Sequence, residues 1–242
     1  MHNLYQYYRG KDYFLMRHKY EPWYTNKINK GIGDEKEFDL RRKVLIKNLE
    51  ENNILNNFKY VLDHGGDKGQ MISPSGGLNA EFRAVCELSG VDTEEGIIRV
   101  SQEQTREIDW DLILSCHVIE HLPDPFSYLK DILALGNGDT TYFFEVPYEK
   151  HVISYFCSQP RYVSWLNFLS RNERLMMLFD FYSVVTRKIF KRVFLGGFTA
   201  LREHLQFFTI KGFSELLNSS GFNVVYCSVG EAGHIIAIAK KK

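Results

Sequence analysis

The 242-residue sequence predicts an α/β fold, with a doubly wound, mostly parallel sheet and helices on both faces. Three observations predict this class. Short apolar runs suited to buried strands alternate with segments of helical periodicity. A glycine-rich turn follows the first run, at Gly65, Gly66 and Gly69. Carboxylates such as Asp63 and Glu145 stand at the ends of apolar runs, where parallel strands open onto a ligand crevice.

Composition favours one domain over residues 1–242 with no strongly charged partner. Thirty basic and thirty acidic side chains give zero net charge, so we expect neither nucleic acid nor an anionic membrane as a partner. No apolar run has the length of a signal peptide or membrane span, so stable membrane insertion is not expected. The cysteines form no C-x-x-C pair, which argues against a structural zinc site and a disulfide framework and favours a reducing cytoplasm. They are Cys86, Cys116, Cys157 and Cys227.

Residues 1–33 are predicted to form an aromatic N-terminal arm. Tyrosine and tryptophan alternate there with basic residues, a mixture that could stack on a nucleic-acid strand or pack over the core. Packing is favoured, because the rest of the chain has no basic excess.

A helix is predicted next, with Asp34 as N-cap and Glu37 completing a capping box. Its apolar stripe consists of Phe38, Leu45 and Leu49. Either Arg41 or Arg42 could reach a cofactor carboxylate, but a solvated helix face is favoured for both.

Residues 58–72 predict a buried strand, a tight turn and then a helix. Glycine at such a turn lets the main chain approach a ligand closely. The spacing D-x-G-x-x-x-G differs from the G-x-G-x-x-G fingerprint of dinucleotide sites. The segment from residue 71 to residue 80 is rich in Ser, Pro and Gly, so any helix there should be short or late.

This turn resembles the first motif of the class I S-adenosylmethionine-dependent methyltransferases, with matches at Asp63, Gly65 and Gly69. Asp67 stands where that family has its middle glycine, and Asp tolerates a left-handed backbone at modest cost. The resemblance implies S-adenosylmethionine as cofactor, with S-adenosylhomocysteine as product, held by the turn including Gly66.

A second strand is predicted over residues 82–86, ending in Glu87 about 20 residues beyond the glycines. This architecture places a ribose-binding carboxylate there, and Glu87 is assigned that role over the alternative of a surface residue at a strand end. A short third strand is predicted over residues 96–101.

The fourth strand, residues 111–116, leads into the stretch H-V-I-E-H-L-P-D-P. Side chains beyond the carboxyl end of a central parallel strand project into the ligand crevice, so His117, Glu120 and His121 are placed for chemistry. This stretch resembles the fourth-strand motif of small-molecule methyltransferases at Glu120, His121, Asp124 and Pro125. We assign Cys116 and His117 to the cofactor site.

The remaining elements follow the same alternation, with one insertion. A helix over 125–135, capped by Asp124, precedes a fifth strand over 141–147 that contains Glu145. Residues 148–205 are predicted to form a helical lid over a small acceptor, in preference to a membrane-surface helix near residues 188–194. A helix capped by Thr209 and strands over 223–229 and 234–239 complete the chain.

The segment E-H-L-Q-F-F-T before the last helix resembles methyltransferases of bacterial cell-surface sugar and polysaccharide pathways. The resemblance covers residues 35–240 and implies a Rossmann-like fold: a mostly parallel seven-stranded sheet with an antiparallel final strand. The chain lacks the N-terminal cysteine-rich zinc module of the sugar C-methyltransferases.

The resemblance implies O-methylation of a sugar hydroxyl or of a capsule or lipopolysaccharide precursor. Methyl transfer is an in-line displacement, so the protein mainly aligns the acceptor and excludes water. The candidate general bases are His121, His204 and Glu145, although the histidines could instead be structural. Glu120, His121 and Glu145 could ligate a divalent ion, but no fixed ligand spacing demands it, and no metal is predicted.

Two other functions stay open. One is a different nucleotide-dependent enzyme, such as an NAD-dependent dehydrogenase, which would share the acid after the second strand. The other is a catalytically silent cofactor-binding or partner protein that uses the aromatic arm and the insertion as contact surfaces. A small-molecule acceptor is the expected partner, and a homodimer is compatible with the sequence.

Overall fold

The computed structural model describes residues 11–21, 24, 35–54, 57–87, 92–148, 160–190, 196–198 and 204–242. The chain divides into two compact units. The first comprises residues 1–5, 33–148 and 204–242, and the second comprises residues 6–32 and 149–203. All the residues predicted for the cofactor and catalytic sites belong to the first unit.

A seven-stranded sheet forms the centre of the first unit, in the order β3-β2-β1-β4-β5-β7-β6. Its strands are β1 Phe58–His64, β2 Ala80–Cys86, β3 Ile98–Arg99, β4 Leu112–Cys116, β5 Thr141–Pro147, β6 Phe222–Val229 and β7 His234–Lys241. The first five strands pair in parallel, and β7 runs antiparallel to both β5 and β6. The predicted Rossmann-like class with an antiparallel final strand is confirmed.

The helices predicted before β1, after β4 and before β6 are observed close to their predicted positions, whereas the helix at Lys11–Tyr20 was not predicted. They are α1 Lys11–Tyr20, α2 Glu35–Glu51, α3 Pro125–Leu135, α4 Pro160–Ser170, α5 Glu173–Phe190 and α6 Ile210–Ser219. Two predicted caps are observed, because Asp124 accepts a hydrogen bond from Ser127 N and Thr209 from Gly212 N. The predicted cap Asp34 of α2 lies outside the described residues.

The central strands β4 and β5 are buried on both faces of the sheet, since neighbouring residues of a strand point to opposite sides and nearly all of those in β4 and β5 are buried. Val61 of β1 packs with Leu45 and Leu49 of α2 on one face. Leu62 packs on the other face, with Leu129 of α3 and further side chains of α3 and α6. The mainly apolar central strands therefore carry a helix layer on each side, which leaves the carboxyl edge of the sheet as the place for a site.

The segment after the first glycine turn is not an α-helix, so the prediction of strand, turn and helix was wrong there. Two 3-10 turns, Gln70–Ile72 and Pro74–Gly76, replace it. Pro74 starts the second turn and Gly77 ends it with a left-handed φ of 83°. Both residues prevent a continuous helical hydrogen-bond ladder.

Arg41 and Arg42 do not lie on a solvated face, contrary to expectation. Their side chains are 7% and 3% exposed. Arg42 Nη1 donates to Gln70 O at 2.9 Å and the same guanidinium forms ion pairs with Glu35 and Asp39. Arg42 therefore ties α2 to the first 3-10 turn, and Arg41 points into the site described below.

The second unit contains α1 and the helical hairpin of α4 and α5. Within it Trp165 Nε1 donates to Gly196 O at 2.8 Å, and the Trp165 and Phe179 rings meet edge to face at 4.9 Å. In the arm, the Arg17 guanidinium lies 3.9 Å from the centre of the Tyr24 ring, which is 4% exposed. These contacts order the described aromatic residues within the second unit, and the packing of the arm over the core stays a prediction.

Most of the described part of the predicted insertion is helical, in α4 and α5. Its role as a lid stays a prediction, as does the division of residues 1–242 into one domain with an arm and a cap. Among the described residues, no helix combines the length and the apolar character needed to cross a bilayer.

Candidate functional site

The strand register brings the predicted cofactor residues to one edge of the sheet. Asp63 of β1 lies beside Val85 of β2 and Leu114 of β4, and Cys116 of β4 lies beside Glu145 of β5. Glu87 and His117 come directly after β2 and β4. Five candidates therefore gather at the carboxyl ends of four parallel strands, the place where ligands bind in open α/β sheets.

The glycine turn is tightly packed and partly left-handed. Gly65 has φ 79°, and a Cβ placed on it would lie 2.5 Å from Val118 Cγ2. A Cβ on Gly66 would collide with the carboxyl group of Asp63. Asp67, at the position of the missing glycine, adopts φ 57° and its N–H donates to Glu87 Oε2 at 3.2 Å. The left-handed backbone expected of Asp67 is observed, and the turn holds the Glu87 carboxylate beside it.

Asp63 is a fully buried carboxyl group, 0% exposed, and neither of its oxygens has a hydrogen-bond donor among the described residues. Burial raises the pKa of Asp63 to about 7, while the positive charge of Arg41 opposes that rise. A cationic group bound at the turn would favour the ionised form.

Glu145 has the opposite environment. Arg41 Nε and Nη2 donate to Glu145 Oε2 at 3.0 and 2.8 Å, and His234 Nδ1 lies 2.6 Å from Glu145 Oε1. Burial acts to raise the pKa of Glu145, but the His117 ring at an ion-pair distance of 3.8 Å, the hydrogen bond with His234 and the charge of Arg41 outweigh it and hold the pKa well below its usual range. Glu145 is therefore ionised and fully engaged.

His117 connects Glu145 to the turn after β4. Its backbone is left-handed, with φ 57°, and its N–H donates to Glu145 O at 2.8 Å. Its ring lies between Glu120 and His234, with Nδ1 3.2 Å from Glu120 Oε1 and Nε2 3.3 Å from His234 Nδ1. Burial disfavours the charged ring, but Glu120 and Glu145 together raise the pKa of His117 to about 9.

Cys116 is buried at the last position of β4. Burial raises the pKa of its thiol well above the usual range, and the charges of Glu145 and Asp63 add to that effect. At neutral pH it is a small neutral group in the wall of the site.

A second cluster combines Glu120, His121 and His204. Glu120 and His121 lie on the 3-10 turn Ile119–His121, directly after His117 and Val118. The His121 and His204 rings are 5.0 Å apart, and His121 Nε2 lies 3.9 Å from Glu120 Oε1. Two of the three predicted bases are thus neighbours, although they are 83 positions apart (204 − 121).

Sequence reasoning missed Arg41 and His234 as site residues. A signal for Arg41 was present, because residues 38, 41, 45 and 49 share one helix face, so an arginine in the apolar stripe had to be buried. His234 begins a strand antiparallel to β5 and lies opposite Pro147, at the carboxyl end of β5. Only the pairing of the final strand, which sequence alone does not specify, brings His234 to Glu145.

Comparison with known proteins gives one family and several structures of the same fold. A family model described as a methyltransferase domain matches residues 38–226. A search of curated proteins gave no match.

Three solved structures cover most of the chain at low identity. Magnesium protoporphyrin IX methyltransferase from Synechocystis PCC 6803, with bound S-adenosylhomocysteine, aligns with a TM-score of 0.54 and 11% identity over 99% of this chain and 98% of its own. A methyltransferase from Aquifex aeolicus that depends on S-adenosylmethionine aligns with a TM-score of 0.52 and 10% identity, over 88% of this chain and 96% of its own. A chain from the complex between the Haloferax volcanii Trm112 methyltransferase activator and a methyltransferase aligns with a TM-score of 0.53 and 8% identity, over 98% of this chain and 97% of its own. At these identities the structures show a shared fold.

Proposed function

This chain belongs to the methyltransferase-domain family, and we propose that it transfers the methyl group of S-adenosylmethionine to a small-molecule acceptor. The acceptor proposed is a hydroxyl group of a sugar or of a capsule or lipopolysaccharide precursor, so that the reaction is an O-methylation. The observation that carries the proposal is the convergence of the glycine turn, Asp63 and Glu87 at one edge of the sheet. It lies within the matched residues 38–226.

The side chains at the turn fit S-adenosylmethionine, which carries an ammonium group, a sulfonium and ribose hydroxyls. The buried carboxyl group of Asp63 has no donor among the described residues, so a cationic group nearby would compensate its charge. Glu87, fixed beside the turn by Asp67 N, would accept hydrogen bonds from the ribose. Gly65, Gly66 and Gly69 would hold the cofactor through the main chain. Cys116 and His117 would complete the wall of the pocket.

When bound, the cofactor supplies a methyl carbon activated by the sulfonium. The protein must align the acceptor oxygen with that carbon, exclude water and assist removal of the hydroxyl proton. We propose that His121 and His204 carry the last task. Glu145 is the weaker candidate for a base, because its pKa is held well below the usual range and Arg41 and His234 occupy its oxygens. We assign Glu145 to orienting those two side chains.

Calorimetric titration tests the cofactor assignment. S-adenosylmethionine, S-adenosylhomocysteine and NAD are titrated into the wild-type chain and into Glu87→Ala. We expect both sulfur compounds to bind, NAD not to bind, and Glu87→Ala to lose about tenfold or more in affinity, because the ribose hydroxyls lose their charged acceptor. Glu81→Ala is the matched control, since Glu81 belongs to the same strand region without lying at the turn. Absence of binding by both sulfur compounds would overturn the proposal.

Turnover separates an enzyme from a catalytically silent cofactor-binding protein. The chain is incubated with methyl-labelled S-adenosylmethionine and a panel of nucleotide-activated sugars, and labelled product is separated by chromatography. Transfer of label to a sugar, with formation of S-adenosylhomocysteine, is the expected result. Cofactor binding without transfer to any hydroxyl, amine or carbon acceptor would favour the silent function.

The proposed setting is the cytoplasm, with the acceptor as partner and no nucleic acid. The proposal of a reducing compartment rests on the cysteine spacing of the sequence, which contains no C-x-x-C pair. The insertion at 148–205 is proposed to contribute to acceptor selection, and the oligomeric state, a homodimer among the candidates, is open to measurement by sedimentation.

A further inference from the structure

The cluster of Glu120, His121 and His204 is built by main-chain bonds, independently of any ligand. Leu205 N and Gln206 N both donate to the carbonyl oxygen of Glu120, at 2.7 and 3.0 Å. Gln206 Nε2 adds a bond to Leu122 O at 3.3 Å. These contacts fix the segment that follows His204 against the turn that carries Glu120 and His121. The histidine pair is therefore held in place even without the function proposed above.

Glu120 is a buried carboxylate without adequate partners. Its side chain is 1% exposed, and neither of its oxygens accepts a hydrogen bond from a described residue. His117 Nδ1 reaches Oε1 at an ion-pair distance of 3.2 Å without regular hydrogen-bond geometry. A buried carboxylate in this condition costs several kcal/mol unless a cation or donors compensate it. The His117 ring supplies part of the compensation at its ion-pair distance, and a bound cation would supply the direct contacts that both carboxylate oxygens lack among the described residues.

The neighbouring group of His117, Glu145 and His234 shows the contrast. Its ligand atoms also lie within 4.8 Å of one another. There, however, Arg41 and His234 donate to both oxygens of Glu145, so the carboxylate is already compensated. A cation would have to displace the Arg41 guanidinium. Of the two groups, only the one around Glu120 has a carboxylate that lacks donors among the described residues.

We propose that Glu120, His121 and His204 bind a divalent transition-metal ion. Their ligand atoms lie within 4.8 Å of one another. Two imidazoles and one carboxylate form a donor set suited to zinc, manganese, iron or cobalt, whereas magnesium and calcium prefer oxygen ligands alone. Three protein ligands leave coordination positions open, as in catalytic rather than structural metal sites.

The geometry needs only a small adjustment. Ligand atoms about 2.0–2.2 Å from a common ion lie roughly 3–3.5 Å apart, so the 3.9 Å between His121 Nε2 and Glu120 Oε1 must shorten by about 0.5 Å or more. His121 can move, because 36% of its side chain is exposed. The same exposure gives an ion a path to the buried carboxylate. The sequence expectation of no metal considered Glu120, His121 and Glu145 and found no fixed ligand spacing, whereas the fold places His204 beside Glu120 and His121.

A role in methyl transfer follows, and this step rests on the proposed function. A cation here would lower the pKa of an acceptor hydroxyl bound beside it, so that the proton leaves to solvent before attack. The acceptor oxygen then forms a bond to the methyl carbon, and the carbon–sulfur bond breaks with its electron pair kept by sulfur. Neutral S-adenosylhomocysteine is left. His121 and His204 would then assist deprotonation through the ion instead of as free bases.

Metal titration without cofactor tests the site itself. The wild-type chain is treated with a chelator, dialysed, and titrated with Zn²⁺, Mn²⁺ and Mg²⁺ by calorimetry; Co²⁺ is followed by its visible absorption. We expect one Zn²⁺ per chain, a Co²⁺ spectrum of a site with nitrogen ligands, and weak or no binding of Mg²⁺. In Glu120→Gln, His121→Gln and His204→Gln, Zn²⁺ affinity should fall about a hundredfold or more. His234→Asn is the matched control from the other group and should retain the wild-type affinity.

Melting temperatures measured without metal show whether a variant loses Zn²⁺ binding because it no longer folds. Glu120→Gln is nearly isosteric, and it removes both a buried charge that lacks hydrogen-bond donors among the described residues and the ion pair with His117, so its apo melting temperature should stay close to that of the wild type. Zn²⁺ should raise the melting temperature of the wild type and not that of Glu120→Gln. Equal Zn²⁺ binding by wild type and Glu120→Gln, or no Zn²⁺, Mn²⁺ or Co²⁺ binding by the wild type, would overturn the metal site.

The two proposals fail separately. Binding of S-adenosylmethionine together with no metal binding would overturn the ion site and leave methyl transfer standing. Stoichiometric metal binding at these residues without binding of either sulfur compound would support the ion site and overturn methyl transfer.

Discussion

At the scale of single residues, Asp63 and Glu145 are two buried carboxyl groups held in opposite states. Glu145 accepts hydrogen bonds from Arg41 and lies 2.6 Å from His234 Nδ1, whereas Asp63 has no donor among the described residues. Residue types and strand ends alone predicted that both carboxyl groups face the site. They could not predict the difference in charge state, because it depends on Arg41 and His234, which come from a helix and an antiparallel strand elsewhere in the chain.

The pKa of Asp63 makes stability depend on pH. Because the pKa is raised from 3.8 to about 7, the folded state binds this proton more tightly than the unfolded state. The resulting stabilisation is complete below pH 3.8 and is lost as the pH rises through 7. It amounts to about 4 kcal/mol at most, from roughly 1.4 kcal/mol per pKa unit. Asp63→Asn carries no such proton, so the difference in unfolding free energy between wild type and variant should shift by several kcal/mol between pH 4 and 8 in favour of the variant.

Urea unfolding without cofactor, at a series of pH values, measures this difference. The other charges that face Asp63 are Arg41, Glu87, Asp67 and Glu145, and they are present in both proteins. So are His117 and His64, whose pKa values are also displaced. Parallel pH profiles for wild type and Asp63→Asn would contradict the assigned pKa.

Asp67 gives a second test at this scale, since its left-handed backbone contacts Glu87 through the main-chain N–H. Asp67→Gly should keep that contact and bind S-adenosylmethionine within about threefold of the wild type, because glycine adopts positive φ without steric cost. Asp67→Ala should lose about 1–2 kcal/mol of stability, because a left-handed backbone brings the Ala Cβ too close to the following carbonyl oxygen. Urea unfolding and calorimetry measure both effects. A large loss of affinity in Asp67→Gly would instead assign a binding role to the side chain.

At the scale of elements, the sequence predicted the strands and the capped helices, but it did not predict the two 3-10 turns that follow β1. Apolar runs bounded by polar turns identified β4 and β5 closely, and Pro125 after Asp124 marked the start of α3. After β1, the sequence indicated only that a helix would be short. The fixed conformation of that segment depends on Arg42, whose guanidinium bonds Gln70 O and whose stem leaves no room for a Cβ at Gly76. A contact between residues this far apart in the sequence cannot be predicted from local periodicity.

The cap of α3 can be measured directly. Asp124 accepts a hydrogen bond from Ser127 N at 3.1 Å, so Asp124→Ala leaves that donor without its partner. We expect a loss of about 1 kcal/mol in the free energy of unfolding, whereas Asp124→Asn and Asp124→Ser should lose less because both side chains can cap. Thermal and urea unfolding supply the values. Equal stability of Asp124→Ala and the wild type would mean that water replaces the cap without cost.

At the scale of the whole molecule, the alternation of apolar runs and helical segments predicted the α/β class, and the resemblance to methyltransferases implied the seven-stranded sheet with its antiparallel final strand. Family membership over residues 38–226 agrees with it. The second unit was predictable only as helical. Periodicity identifies the apolar side of α4 and α5, but it does not say which surface that side covers.

Ligand binding should stabilise the first unit as a whole, because the cofactor residues come from β1, β2 and β4 of one sheet. With S-adenosylhomocysteine at about a hundredfold its dissociation constant, the unfolding free energy should rise by about 2.7 kcal/mol. Hydrogen exchange would locate the effect in the amides of those strands. Protection confined to α4 and α5 would contradict the assignment of the cofactor to the sheet.

The position of β7 between β5 and β6 has a consequence for biosynthesis. A ribosome makes Glu145 long before His234, and β6 before the strand that joins it to β5. Until residues 234–241 emerge, the nascent chain holds β5 with an open edge and Glu145 without its histidine. The site is therefore completed only when β7 pairs between β5 and β6. A pause in translation before residue 234 should prolong an intermediate that is sensitive to protease. Limited proteolysis of stalled nascent chains would detect it.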